Sequence, residues 1–239
     1  MNLRKIIAVL AGLAAFAAVS PAHAQYATLT PGGMVSPIAS LTAAQAFAGS
    51  TLYASLLDNQ VTVPSVVGTL DPAGNVTTDV YKLNDGSGFI FAYTINANAG
   101  NNDTFASLKA FNFSGLSTQV GYTSNATSTG TKNTTPGVAP DSATRTNKGT
   151  GPNSVVFNIT SGVGAGRSSQ TLLIRTNAGG IIQTSTNQVT DGVSSTFTSY
   201  SPDGTIAPEP ASFAVFGIVG LGVLGLMVRA RRGKTQLAA

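Results

Sequence analysis

The chain has no cysteine and no tryptophan, a single histidine, and a single glutamate beside eight aspartates. The histidine is His23 and the glutamate is Glu209, and both sit in terminal segments. Without cysteine there is no disulfide to staple a fold, so stability must come from packing. A stretch 25–207 without His, Cys or Glu cannot assemble a Ser-His-Asp triad, a cysteine nucleophile or a zinc site of the usual kind. Only Asp, Ser, Thr, Lys, Arg and Tyr remain for chemistry, and no catalytic residue, metal or cofactor is expected. Charge is scarce too, at 9% of residues, and the formal +4 comes from the two ends. Residues 25–207 carry seven Lys or Arg against eight Asp, a net charge of −1. A basic nucleic-acid surface is therefore not expected, and nucleic acid is excluded as a partner.

Long apolar runs occur only at the ends. Arg4 and Lys5 precede the apolar Ile6–Val19, and Ala22-His23-Ala24 follows. That order reads as an export signal over 1–24, with cleavage after Ala24 and a mature chain starting at Gln25. It implies the Sec translocon and signal peptidase as partners. At the other end, Pro208-Glu209-Pro210 precedes the uncharged run Ala211–Val228, then Arg229, Arg231, Arg232 and Lys234. As a helix that run reaches about 27 Å, near the roughly 30 Å hydrocarbon core, and predicts one transmembrane helix. The basic cluster should stay cytoplasmic, which places everything before the helix outside. Pro208 and Pro210 keep the preceding backbone extended. Within the run, Gly220-Leu221-Gly222-Val223-Leu224-Gly225 spells a dinucleotide-binding pattern. That chemistry needs a strand-to-helix turn in a soluble unit, so the pattern is rejected.

The ordered tail Pro208-Glu209-Pro210, apolar run and basic cluster resembles the PEP-CTERM sorting signal of bacterial surface proteins. More weakly, Gly68-Thr69-Leu70, Asp79–Lys82, Gly88–Tyr93, Leu172–Ala178 and Ala207–Pro210 are similar to segments of that family's ectodomains. Ala207 departs from the usual hydrophobic residue before the motif. The resemblance implies export, tethering in the inner membrane, processing by an exosortase, and association with extracellular polysaccharide or biofilm. It implies no catalytic residue.

Residues 25–207 read as one β-rich extracytoplasmic domain, followed by the sorting segment 208–239. Val, Ile, Thr, Phe and Tyr recur in short runs broken by Gly, Asn, Asp and Pro. Strands are expected at Leu52–Leu57, Val61–Leu70, Val76–Leu83, Gly88–Ile95, Phe105–Phe113, Leu116–Tyr122, Val155–Thr160, Thr171–Thr176, Ile181–Ser185 and Val193–Tyr200. Asn177-Ala178-Gly179-Gly180 should close a hairpin between two of them. Phe89, Phe91 and Tyr93 alternate with Ile90, Ala92 and Thr94, which predicts an aromatic core face. One short helix is expected at Thr42–Ala48, stopped by Gly49. The Ser, Thr, Asn and Gly-rich 123–153 should be a long polar loop. The pattern points to an all-β antiparallel sandwich, jelly-roll-like, with almost no helix.

Several chemistries are open to such a domain. Paired aspartates run glycoside hydrolysis, but Asp71, Asp85, Asp191 and Asp203 stand before Pro or Gly, a turn context. Calcium ligands are conceivable near Asn98–Asp103 or Asn84–Asp85, without EF-hand spacing. Thr127-Ser128-Thr129 and Thr184-Ser185-Thr186 are too brief for an ice-binding array. Tyr81, Tyr93 or Tyr122 could stack on sugars in a carbohydrate-binding module. The favoured reading is a non-enzymatic surface or matrix protein of the exopolysaccharide layer. It is anchored in the inner membrane and then surface-located or released.

Overall fold

The structure, a computed structural model, describes residues 26–64, 70–100, 104–124, 137–146, 153–191 and 193–207. The export signal with Ala22, Ala24 and Gln25 lies outside the described residues. So does the tail with Pro208, Glu209, Pro210, Arg229, Arg231, Arg232 and Lys234. Among the described residues no helix is long and apolar enough to cross a membrane. The expected span Ala211–Val228 is not among them.

The protein is all-β. Thirteen strands occur among the described residues: β1 (Ala27–Thr28), β2 (Met34–Val35), β3 (Ser40–Leu41), β4 (Ser50–Pro64), β5 (Leu70–Leu83), β6 (Phe89–Ala97), β7 (Phe105–Ala110), β8 (Thr118–Thr123), β9 (Ser142–Arg145), β10 (Val155–Val163), β11 (Thr171–Thr176), β12 (Ile181–Asp191) and β13 (Val193–Pro202). They form two sheets. The first runs β1-β8-β11-β6-β5-β4, with β3 also on β8; the second runs β13-β12-β7-β10-β9-β2. Pairing is antiparallel except for β3 on β8. The expected helix is α1 (Ala43–Ala46), where Thr42 and Gln45 form a capping box and Gly49 at φ +65° ends the segment.

One buried cluster draws on both sheets and includes Phe91, Tyr93, Phe105, Leu108, Phe113, Phe157, Ile174 and Phe197. Each such side chain contributes about 1.5–3 kcal/mol on burial, and with no cysteine in the chain these take the place of disulfides. Phe89, Phe91 and Tyr93 lie in this cluster as the alternation predicts. The opposite face of β6 is also buried. Ile90 and Ala92 join Leu173, Leu83, Tyr26, Leu41 and Ala46 in a second cluster. The N-terminal segment supplies that cover: β1 and β3 lie on β8, α1 contributes Ala46, and the Tyr26 hydroxyl donates to the Ala46 carbonyl.

Four expectations are corrected. The expected break at Asp58 does not end a strand. β4 continues to Pro64 opposite β5, with register shifts at 52/54, 58/61 and 61/62 absorbing the polar residues as bulges. The backbone of Asp71-Pro72 accordingly belongs to β5 rather than to a turn. The segment Asn177–Gly180 is not a hairpin. It carries the chain from β11 in the first sheet to β12 in the second, pinned by an Ala178–Ile206 bridge and a Gly179 N–H to Thr205 O bond. The 123–153 loop is interrupted: Ser142–Arg145 forms β9 between β10 and β2, and Val138 bridges Ser169.

Candidate functional site

Two open clefts flank the turn between β5 and β6 (residues 84–88). The smaller, about 490 Å³, is lined by Thr51, Leu52 and Tyr53 of β4 and by Lys82, Leu83, Asn84, Asp85 and Gly86. The β4 register shift between Leu52 and Ala54 leaves Tyr53 out of step with β5. A bulge re-aims a side chain in this way, and Tyr53 is 58% exposed. Its ring is held edge-on by Phe89 at 5.5 Å. Across the cleft the Thr51 hydroxyl donates to Asn84 Oδ1 at 2.8 Å. Asp85 Oδ1 accepts from the Ser87 N–H at 2.9 Å and its hydroxyl at 2.7 Å. An exposed tyrosine ring beside amide, carboxylate and ammonium groups can stack on the C–H face of a sugar and hydrogen-bond its hydroxyls.

The larger cleft, about 990 Å³, lies between β1, the start of β8 and the end of β11. Tyr26, Thr28, Ser87, Ser117, Arg145 and Arg175 are among its lining residues. Arg145 is 3% exposed. Its Nε donates to Asn153 Oδ1, Nη1 to Leu29 O and Nη2 to Phe113 O. Burial lowers its pKa. Burial likewise pushes the Tyr26 hydroxyl well above the ordinary tyrosine range, partly offset by the nearby Arg175 charge. Gly88 lets the β5–β6 turn close on this site. At φ +151°, a Cβ there would stand 2.0 Å from the Thr176 carbonyl oxygen. Leu83 lines both clefts, so they adjoin across the turn.

Of the tyrosines named from sequence, Tyr93 is fully buried and donates its hydroxyl to Tyr200 O, so it offers no surface platform. Tyr81 is half-buried, with its ring on Phe47 at a 4.1 Å centroid distance. Tyr122 is half-buried against the main core. The sequence does not single out Tyr53, because nothing in a Leu-Tyr-Ala stretch announces a bulge.

Asp58, Asp85, Asp141 and Asp203 serve the backbone. Asp58 Oδ2 accepts the Thr198 N–H and Asp141 Oδ2 the Thr160 N–H, both at 2.6 Å. Asp203 accepts from Thr205 N at 2.9 Å and Oγ1 at 2.7 Å. Desolvation raises the Asp203 pKa, but these bonds together with those from the Gly180 and Asp203 backbone outweigh it and hold the carboxyl below its usual range. Asp79 differs: burial raises its pKa, opposed by the Ser55 hydroxyl that donates to it. Among the described residues no three His, Cys, Asp or Glu side chains come together. Asn84–Asp85 is a hydrogen-bonded turn, and Asp103 lies outside the described residues. Thr184 and Thr186 sit on a β12 bulge, not on a flat array. No protein-family model, no curated protein and no solved structure matches the chain.

Proposed function

We propose that the chain is an exported, non-enzymatic surface or matrix protein whose domain contacts polysaccharide through the Tyr53 cleft. In this reading the export signal 1–24 takes it through the Sec translocon. The Pro208-Glu209-Pro210 tail holds it at the inner membrane for an exosortase-type enzyme, and the processed domain joins the exopolysaccharide layer. The finer architecture is a β-sandwich of jelly-roll-like kind, a reading favoured by repeated crossings between the two sheets.

The observation that carries the polysaccharide part is Tyr53: an aromatic ring exposed beside Asn84, Asp85 and Lys82. Support against catalysis comes from Asp58, Asp85, Asp141 and Asp203, whose carboxylates accept main-chain N–H groups. Two measurements test the proposal. Mass spectrometry of native envelope and secreted fractions should find chains ending at or near Pro208–Pro210. Peptides beyond Val228 on the mature protein would make the tail a permanent anchor and sink the sorting reading. A glycan array should show saturable binding that Tyr53→Ala weakens about tenfold, the scale of one lost sugar–aromatic contact. An array without signal removes the saccharide role.

A further inference from the structure

We infer that the larger cleft is a site for the carboxylate of an acidic saccharide, so that the polysaccharide bound is a polyuronate and not a neutral glucan. This rests on the saccharide reading above and adds to it the charge of the ligand. Among the described residues the cleft is lined by two guanidinium groups, Arg145 and Arg175, and by no acidic side chain. The nearest turn carboxylate, Asp85, lines the neighbouring cleft and is engaged by Ser87. Two cations sharing a recess without a counter-ion repel each other, and an anionic ligand relieves that repulsion.

The two arginines have different parts. Arg145 is buried and its three nitrogens are committed to Asn153, Leu29 and Phe113, so it is a fixed positive charge in the wall. Arg175 is half-buried on β11, and among the described residues its guanidinium has no hydrogen-bonded acceptor. Its planar fork suits bidentate contact with a carboxylate. Thr28, Ser87, Ser117 and Thr118 also line the cleft, with the Ser87 hydroxyl donating to Asp85 and the Thr118 hydroxyl to Leu116 O. Leu83 lines both clefts, so the two adjoin at the β5–β6 turn.

The test uses the full chain in detergent on immobilised polygalacturonate and dextran, read by biolayer interferometry. Wild type should bind polygalacturonate about tenfold more tightly than dextran, the scale of one charge-assisted contact. Arg175→Gln should erase that preference without changing the unfolding midpoint, and Arg175→Lys should keep part of it. Equal affinity for the two polymers, or a preference that survives Arg175→Gln, overturns the inference. Should dextran binding depend on Tyr53 while no acid preference exists, the general saccharide reading stands and this one fails. If wild type binds neither polymer, both fail. Phosphatidylglycerol vesicles that retain wild type but not Arg175→Gln, without a polygalacturonate preference, would assign the cleft to lipid phosphates and also overturn it.

Discussion

Arg145 is the residue whose loss should be felt most outside the aromatic core. Its guanidinium ties β9 to three acceptors: the Asn153 carboxamide, the Leu29 carbonyl and the Phe113 carbonyl. Arg145→Ala strands these groups away from water and should cost about 2–4 kcal/mol in denaturant unfolding. Arg145→Lys should recover less than half, because a single ammonium cannot span three diverging acceptors. Asp79 predicts a pH effect of definite sign. Burial raises its folded pKa above the unfolded value of 3.8, with the Ser55 bond opposing. Between those two values the folded state holds a proton that the unfolded chain has released, so stability falls as pH rises through that window. Relative to Asp79→Asn, wild type should therefore lose stability as pH rises from below 3.8, a difference that urea titrations at several pH values will measure. A parallel pH response in both proteins would rule it out.

At the scale of elements, the β5–β6 turn is the joint on which both clefts depend. Gly88→Ala places a Cβ 2.0 Å from the Thr176 carbonyl oxygen at a φ of +151°. It should cost about 2–4 kcal/mol through strain and forced displacement. On the proposed saccharide reading it should also weaken binding at both clefts together. Strand identity was legible wherever packing and alternation agree. The Phe89, Phe91, Tyr93 face of β6 is the core face, and the Thr42 capping box and Gly49 stop define α1. Partnership was not legible. Asn177–Gly180 has hairpin chemistry, yet the chain switches sheets there, because the bonds that settle it come from Thr205 and Ile206. Ser142–Arg145 has weak strand propensity and becomes β9 because β10 and β2 both offer it ladder bonds. Tyr53 faces solvent through a register shift that no local pattern encodes.

For the whole molecule, the N-terminal segment does more than its length suggests. β1 and β3 belong to the first sheet and β2 to the second, so sixteen or so residues lace both edges together. Tyr26, Leu29, Ile38 and Leu41 are all buried. At about 1.5–3 kcal/mol each, they amount to about 6–12 kcal/mol, comparable with the entire stability of an ordinary domain. Deleting residues 26–41 should therefore abolish cooperative thermal unfolding, and a sharp transition in the truncated protein would refute this. The same lacing sets a clock. Ala27 finds its partner at Val120 and Ser40 finds its partner at Tyr122, so the first strands wait for a distant part of the chain before they can settle. For a chain threaded outward from its amino end, Tyr26 stays loose until β8 has crossed. A peptidase cutting after Ala24 on the proposed route meets Tyr26 still loose during that interval, and buried afterwards. Order of arrival, more than affinity, would decide whether the leader is removed.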